Sequence, residues 1–190
     1  MSNIGIEPEK IESNWNTFTS LCKRFSDPGL DRLLEDLGQR LVECPFSTRT
    51  EYPGCYTGGL IDMTLRVTSS MRKINDTLDE KLPTPTLLRV GLLHDLGKVG
   101  DLEQDHFLEQ DSDWHREKLG QLYKYNESMP KMGYSHRTLW LLQHYGVALT
   151  RDEWEAIYIS GGLHLEENRF YAGTKSQLTR ILSAAKLLVL

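Results

Sequence analysis

Apolar side chains along this chain recur at three- and four-residue spacings in one segment after another, the period of a helix face and not of a strand. Trp15, Phe18, Leu21, Cys22 and Phe25 mark the first stripe, between Ile11 and Phe25. Asp27-Pro28 opens the second, an N-cap residue followed by one that a helical first turn tolerates, and Leu30, Leu33, Leu34, Leu37 and Leu41 carry it toward Pro45. An irregular stretch over 45–58, PFSTRTEYPGCYTG, then gives way at Gly58-Gly59 to Leu60, Ile61, Met63, Leu65, Val67 and Met71. Leu87, Leu88, Val90, Leu92 and Leu93 make a fourth helix, and further helices are expected near 135–144, 151–160 and from 174 onward. Only Leu119-Gly-Gln-Leu-Tyr-Lys-Tyr alternates, which points to a short hairpin. The expectation is a mainly α fold, a helical bundle with a small β-hairpin: a domain over 46–190 with an N-terminal helical arm, 1–45, packed on it.

Composition narrows the function classes. A chain of 190 residues is long enough for one sizeable core. With 22 Lys and Arg against 27 Asp and Glu, its formal charge of -5 argues against non-specific attraction to nucleic acid. Cys22, Cys44 and Cys55 form neither a CxxC pair nor an even disulfide set, which fits buried thiols in a reducing compartment. No signal-peptide pattern opens the sequence, and no apolar run approaches the roughly 20 residues that cross a bilayer. These features point to a cytoplasmic protein with no membrane association.

The distinctive segment is GLLHDLGKVG, residues 91–100, where a largely apolar helix ends in polar residues. Adjacent His94 and Asp95 can both approach one divalent cation, since imidazole nitrogen and carboxylate oxygen suit first-row metals, but two ligands do not make a site. The structural alternative has Asp95 capping a helix or pairing with Lys98 while His94 donates to a backbone carbonyl. Spacing leaves both open.

Through the His-Asp dyad in LLHDLGK, the chain resembles the HD-domain superfamily of metal-dependent phosphohydrolases. The likeness extends to YPGCYTGGLIDMTLRV (52–67), the short hairpin, SHRT (135–138), AIYISGG (156–162) and ILSAAKLL (181–188), in the family's order. It implies a helical HD-like domain in which a histidine, the dyad and a later aspartate hold a metal, with two further histidines helping to hold a second ion. His94 and Asp95 are present, and His136 stands where one additional histidine is expected. Three positions depart: Met63 occupies the first histidine position, Ser160 that of the second additional histidine, and Lys186 that of the closing aspartate. A thioether is a poor ligand for a hard cation. An ammonium at Lys186 would repel a divalent ion and could pair with Asp95, filling the metal position with the protein's own cation.

A shifted site offers the competing arrangement, with Asp62 beside Met63, or His164 four residues after Ser160, as substitutes. A four-residue step keeps a helix face and a one-residue step does not, so His164 is the better substitute. Any bound metal would then be held by His94, Asp95, His136 and His164, as Mn²⁺, Fe²⁺, Ni²⁺ or Mg²⁺. If chemistry survived, Asp95, Lys98 and His136 would carry it, with Lys98 on a substrate phosphate.

Other features read as structural. His106 and His115 are expected to be solvent-exposed or hydrogen-bonded and His144 to lie on a helix surface or in packing. Trp15, Trp114, Trp140 and Trp154 are expected as core or interface anchors. The run from Asp101 to Asp113, with six carboxylates and no Lys or Arg, reads as a solvated loop and lacks the spacing of a calcium loop.

The leading expectation is a catalytically degenerate HD-like protein without a cofactor, retained for assembly, binding or regulation. A metal-dependent phosphomonoesterase or phosphodiesterase, with nucleotides as one candidate substrate class, and a nucleotide-binding sensor without turnover are the alternatives. The apolar ending ILSAAKLLVL is consistent with burial or with a homo-oligomer or assembly partner. The pattern also resembles compact HD-like proteins of tailed bacteriophages, which would place the chain in a virion or in infected host cytoplasm.

Overall fold

The computed structural model describes residues 5–190. Among them are eight α-helices: α1 (Pro8–Lys23), α2 (Pro28–Glu43), α3 (Gly59–Asp76), α4 (Thr84–Leu93), α5 (Asp113–Leu119), α6 (Tyr134–His144), α7 (Arg151–Ile159) and α8 (Gln177–Val189). A 3₁₀ turn over Leu96–Val99 follows α4 and another, Glu166–Tyr171, follows α7. Strands β1 (Phe107–Glu109) and β2 (Tyr123–Tyr125) form an antiparallel pair in which Leu108 faces Lys124. The fold is mainly α with this small pair of strands. Among the described residues no helix is long and apolar enough to cross a membrane.

Helices α3 and α4 lie at the centre because each supplies apolar residues to two clusters. Leu60, Met63, Leu92 and Leu93 join Phe18, Leu33, Leu37, Leu41 and Leu141 in one cluster. One or two turns away, Val67, Met71, Leu87 and Val90 join Leu178, Ile181 and Leu182 of α8 in the other. Burying each of these side chains contributes roughly 1.5–3 kcal/mol relative to exposure. The segment expected as an arm is continuous with the first cluster, for Phe18, Leu33 and Leu41 are fully buried in it. Asp27 caps α2 by accepting from the Gly29 and Leu30 amides, and its second oxygen takes Arg89 of α4 at 2.8 Å, joining the two helices.

Two local expectations are corrected. The 119–125 segment is not a hairpin by itself: only its end is β2, and its partner β1 lies within the acidic run, with α5 between them. The acidic run therefore holds β1 and ends at the first residue of α5. Ser112 caps α5 by accepting from the His115 amide, and Gly120, at φ 57°, ends it in the left-handed region. Of the tryptophans, Trp15 packs against the first cluster, while Trp114, Trp140 and Trp154 are 58%, 38% and 42% exposed. All three cysteines are buried free thiols, and burial pushes the Cys22 thiol up to about 12.

Candidate functional site: a carboxylate held by a lysine

At the end of α4 the chain turns through Asp95 into the first 3₁₀ turn, and α6 packs directly on that turn. The approach depends on Gly97, where a Cβ would lie 2.1 Å from the Tyr134 carbonyl oxygen and 2.5 Å from the Thr138 nitrogen. Thr138 uses the contact. Its Oγ1 accepts from the Gly97 amide at 2.8 Å, while its own proton faces the carbonyl oxygens of Tyr134 at 2.9 Å and His94 at 3.3 Å. The dyad is thus set by a helix end, a glycine and a threonine on a neighbouring helix.

Both dyad side chains are fully buried. His94 Nδ1 lies 2.8 Å from the Gly91 carbonyl oxygen, which can only accept, so the hydrogen-bond pattern assigns the proton to Nδ1. Nε2 faces Asp95 Oδ2 at 3.3 Å without a well-formed hydrogen bond. The Asp95 carboxylate is instead engaged by α8, whose Lys186 Nζ lies 3.0 Å from Oδ1 and 3.3 Å from Oδ2. Burial alone would push the Asp95 carboxyl up, but His94, Lys186 and Lys98 beside it outweigh that and hold it well below the usual carboxylate range.

Lys98 is neither a solvated charge nor in contact with Asp95. Its Nζ donates to the Phe46 carbonyl oxygen at 3.0 Å and sits 3.4 Å from the Phe46 ring centroid, with Tyr134 at 4.8 Å on another side. Burial, with Lys186 adding, pulls its ammonium down to about 8, although Asp95 opposes the shift. The Tyr134 ring also lies 5.5 Å from Lys186 Nζ, so one aromatic face borders both lysines.

The remaining residues singled out in the sequence are placed as follows. Ser160 caps the end of α7 with Oγ 3.5 Å from the His94 carbonyl oxygen. Met63 is buried in the first cluster. Asp62 is turned away toward α1, accepting from Asn14 at 3.0 Å and Tyr56 at 2.8 Å and pairing with Arg66 at 3.0 Å, which removes it as a substitute ligand. His136 packs on Tyr158 with ring centroids 4.9 Å apart, in the groove between α6 and α7, and His164 is exposed beyond α7. His94, Asp95 and Lys186 come together. Among the described residues, no three His, Cys, Asp or Glu side chains are grouped so that they could hold an ion.

Sequence reasoning missed Thr138, Tyr134 and Phe46. Their part in the site runs through a hydroxyl, a carbonyl and two ring faces from segments 36 or more residues away, and no local spacing signals such contacts. Comparison with protein-family models, with curated proteins and with solved structures gives no match for this chain.

Proposed function

We propose that the chain is an HD-like helical protein in which a lysine has taken the metal's place, and that it serves assembly, binding or regulation without phosphohydrolase turnover. The observation that carries this reading is the two-pronged contact of Lys186 with the buried Asp95 carboxylate. The donor set fits a divalent metal poorly: the ammonium covers the one carboxylate of the dyad, a thioether stands at position 63, and His136 and His164 are directed elsewhere. His94 Nε2 is the one unpartnered donor at the centre, and it is a single ligand. The finer reading includes a cytoplasmic or virion location and a second copy or another protein as partner. Exposed Phe170, Leu187 and Leu188, at 90%, 86% and 75%, support a protein partner.

The test is metal content by elemental mass spectrometry after titration with Mn²⁺, Fe²⁺, Ni²⁺ and Mg²⁺, for the wild type and Asp95→Ala, with a phosphoester turnover assay beside it. The expected result is no stoichiometric metal and no turnover. Near-stoichiometric metal that Asp95→Ala abolishes would overturn the reading and restore the metal-dependent phosphohydrolase.

A further inference from the structure

Arg137 carries a buried charge that the fold leaves without a carboxylate in contact. It lies in the first turn of α6, is 3% exposed, and donates only to backbone carbonyls, from Nη1 to Gly97 O and from Nη2 to Met132 O, each at 3.0 Å. Among the described residues it enters no ion pair within 4 Å. Asp101 acts on it only at longer range and turns one oxygen onto the amides of Glu103 and Gln104. A guanidinium cannot shed its proton to relieve burial, so a counter-charge is the remaining remedy.

Two cavities meet at this side chain. The larger, about 770 Å³, is bordered by Arg137, His106, Asn126, Lys131 and Gly133. Gly133 is the N-cap of α6 and supplies no capping side chain, so the positive end of the helix opens on the same space. Burial first, then the charges of Arg137 and Lys98, hold the His106 imidazole down at about 4, which makes it a neutral polar neighbour at pH 7. The smaller cavity, about 280 Å³, shares Met129, Pro130 and Met132 with the larger and adds Leu102 and the edge of Trp140. Its acidic rim, Asp101 and Glu103, disfavours an anion there, whereas the larger cavity's one acid, Glu127, is exposed.

We infer that Arg137 anchors a binding site for a small organic oxyanion, whose charged group sits between Arg137, Lys131 and the start of α6 and whose apolar body lies against Met129, Met132 and Trp140. The guanidinium fork suits a phosphoryl or carboxylate group, and its remaining N–H groups are the donors that the two carbonyls leave over. This assignment is independent of how Asp95 is read.

The test is calorimetric titration of the full chain with inorganic phosphate, phenyl phosphate and benzoate, with NMR of backbone amides and histidine rings. An aryl oxyanion is expected to bind at one per chain and more tightly than inorganic phosphate, moving the Gly133, Tyr134 and His106 resonances; phenyl phosphate against benzoate decides between phosphoryl and carboxylate. Arg137→Gln should weaken it at least about tenfold and Lys131→Glu about threefold. Should Arg137→Gln fail to fold, the wild-type resonance map and Lys131→Glu decide by themselves. Absence of saturable binding for all three probes overturns the assignment. So does binding that leaves Gly133 and His106 unmoved.

Discussion

Two buried charges flank the same 3₁₀ turn and are treated in opposite ways. Asp95, just before Leu96–Val99, is met by Lys186 from the far end of the chain at 3.0 and 3.3 Å. Arg137 reaches the turn from α6 and finds only the carbonyls of Gly97 and Met132. The first charge is closed within the fold, and the second keeps hydrogen-bonding capacity toward a cavity. A charge compensated inside the fold has its partner already, while one left open keeps donors for a further counter-charge.

The largest expected effect comes from opening the closed side. Lys186→Met leaves a carboxylate buried and unpaired, which should cost about 3–5 kcal/mol in urea unfolding, whereas Asp95→Asn combined with Lys186→Met removes both charges and should recover most of that loss. A single substitution costing under about 1 kcal/mol would mean that water already reaches Asp95, and the contrast with Arg137 would collapse. Because Asp95 is held low in the folded state, its contribution is fully present above the unfolded carboxyl value near 3.9 and declines as pH falls through the depressed folded value. The double variant should lose that share of the wild type's acid sensitivity.

Gly97→Ala tests the turn that both charges share. A methyl 2.1 Å from the Tyr134 carbonyl oxygen must push α6 away, at about 1–3 kcal/mol by thermal unfolding, and should loosen both sides together. Arg137→Met should cost less than Lys186→Met, about 1–2 kcal/mol, because two carbonyls lose donors but no uncompensated charge is created. If Arg137→Met proved the more damaging of the two, Arg137 would be the structural charge and the comparison would reverse.

Legibility in the sequence follows the range over which each feature is determined. Helices with long apolar stripes were readable because their period is local, and α2 announces itself through Asp27 and Pro28. Helix α5, which starts at the last residue of the acidic run, gave no sign of itself, although Ser112 and Gly120 are ordinary start and stop residues; its seven residues bury no apolar stripe, so no period called for a helix. The hairpin was found at only one edge, since pairing Phe107 with Tyr125 across an inserted helix is not a local pattern. At the site, the Lys186 contact could be anticipated because a family resemblance linked positions 95 and 186 across the chain. The Lys98 contact could not, since its partner is a backbone carbonyl and a ring face at Phe46, for which no residue type in the sequence stands as a marker. Arg137 went unremarked because a lone arginine on a helix normally lies in solvent, and only the packed turn shows that this one does not.

The smallest expected effect sharpens the comparison by asking where Lys98 belongs. It forms no ion pair with Asp95 and is largely buried, and its ammonium is brought down to about 8 chiefly by burial. In the unfolded chain a lysine titrates near 10.4, so between about pH 8 and 10.4 the unfolded state holds a proton that the folded state has released. Folding should therefore become more favourable as pH rises through that window, contrary to the usual alkaline decline of an ion-paired lysine. Lys98→Met removes the titration and should flatten that share of the pH dependence, measured as the difference between the two proteins' urea midpoints from pH 7 to 10. A wild type that instead lost stability relative to Lys98→Met over this range would show that Lys98 is stabilised in its charged form. It would then be a second cation compensating Asp95, and the carboxylate would be held by a pair of lysines, with Lys186 as only one of them.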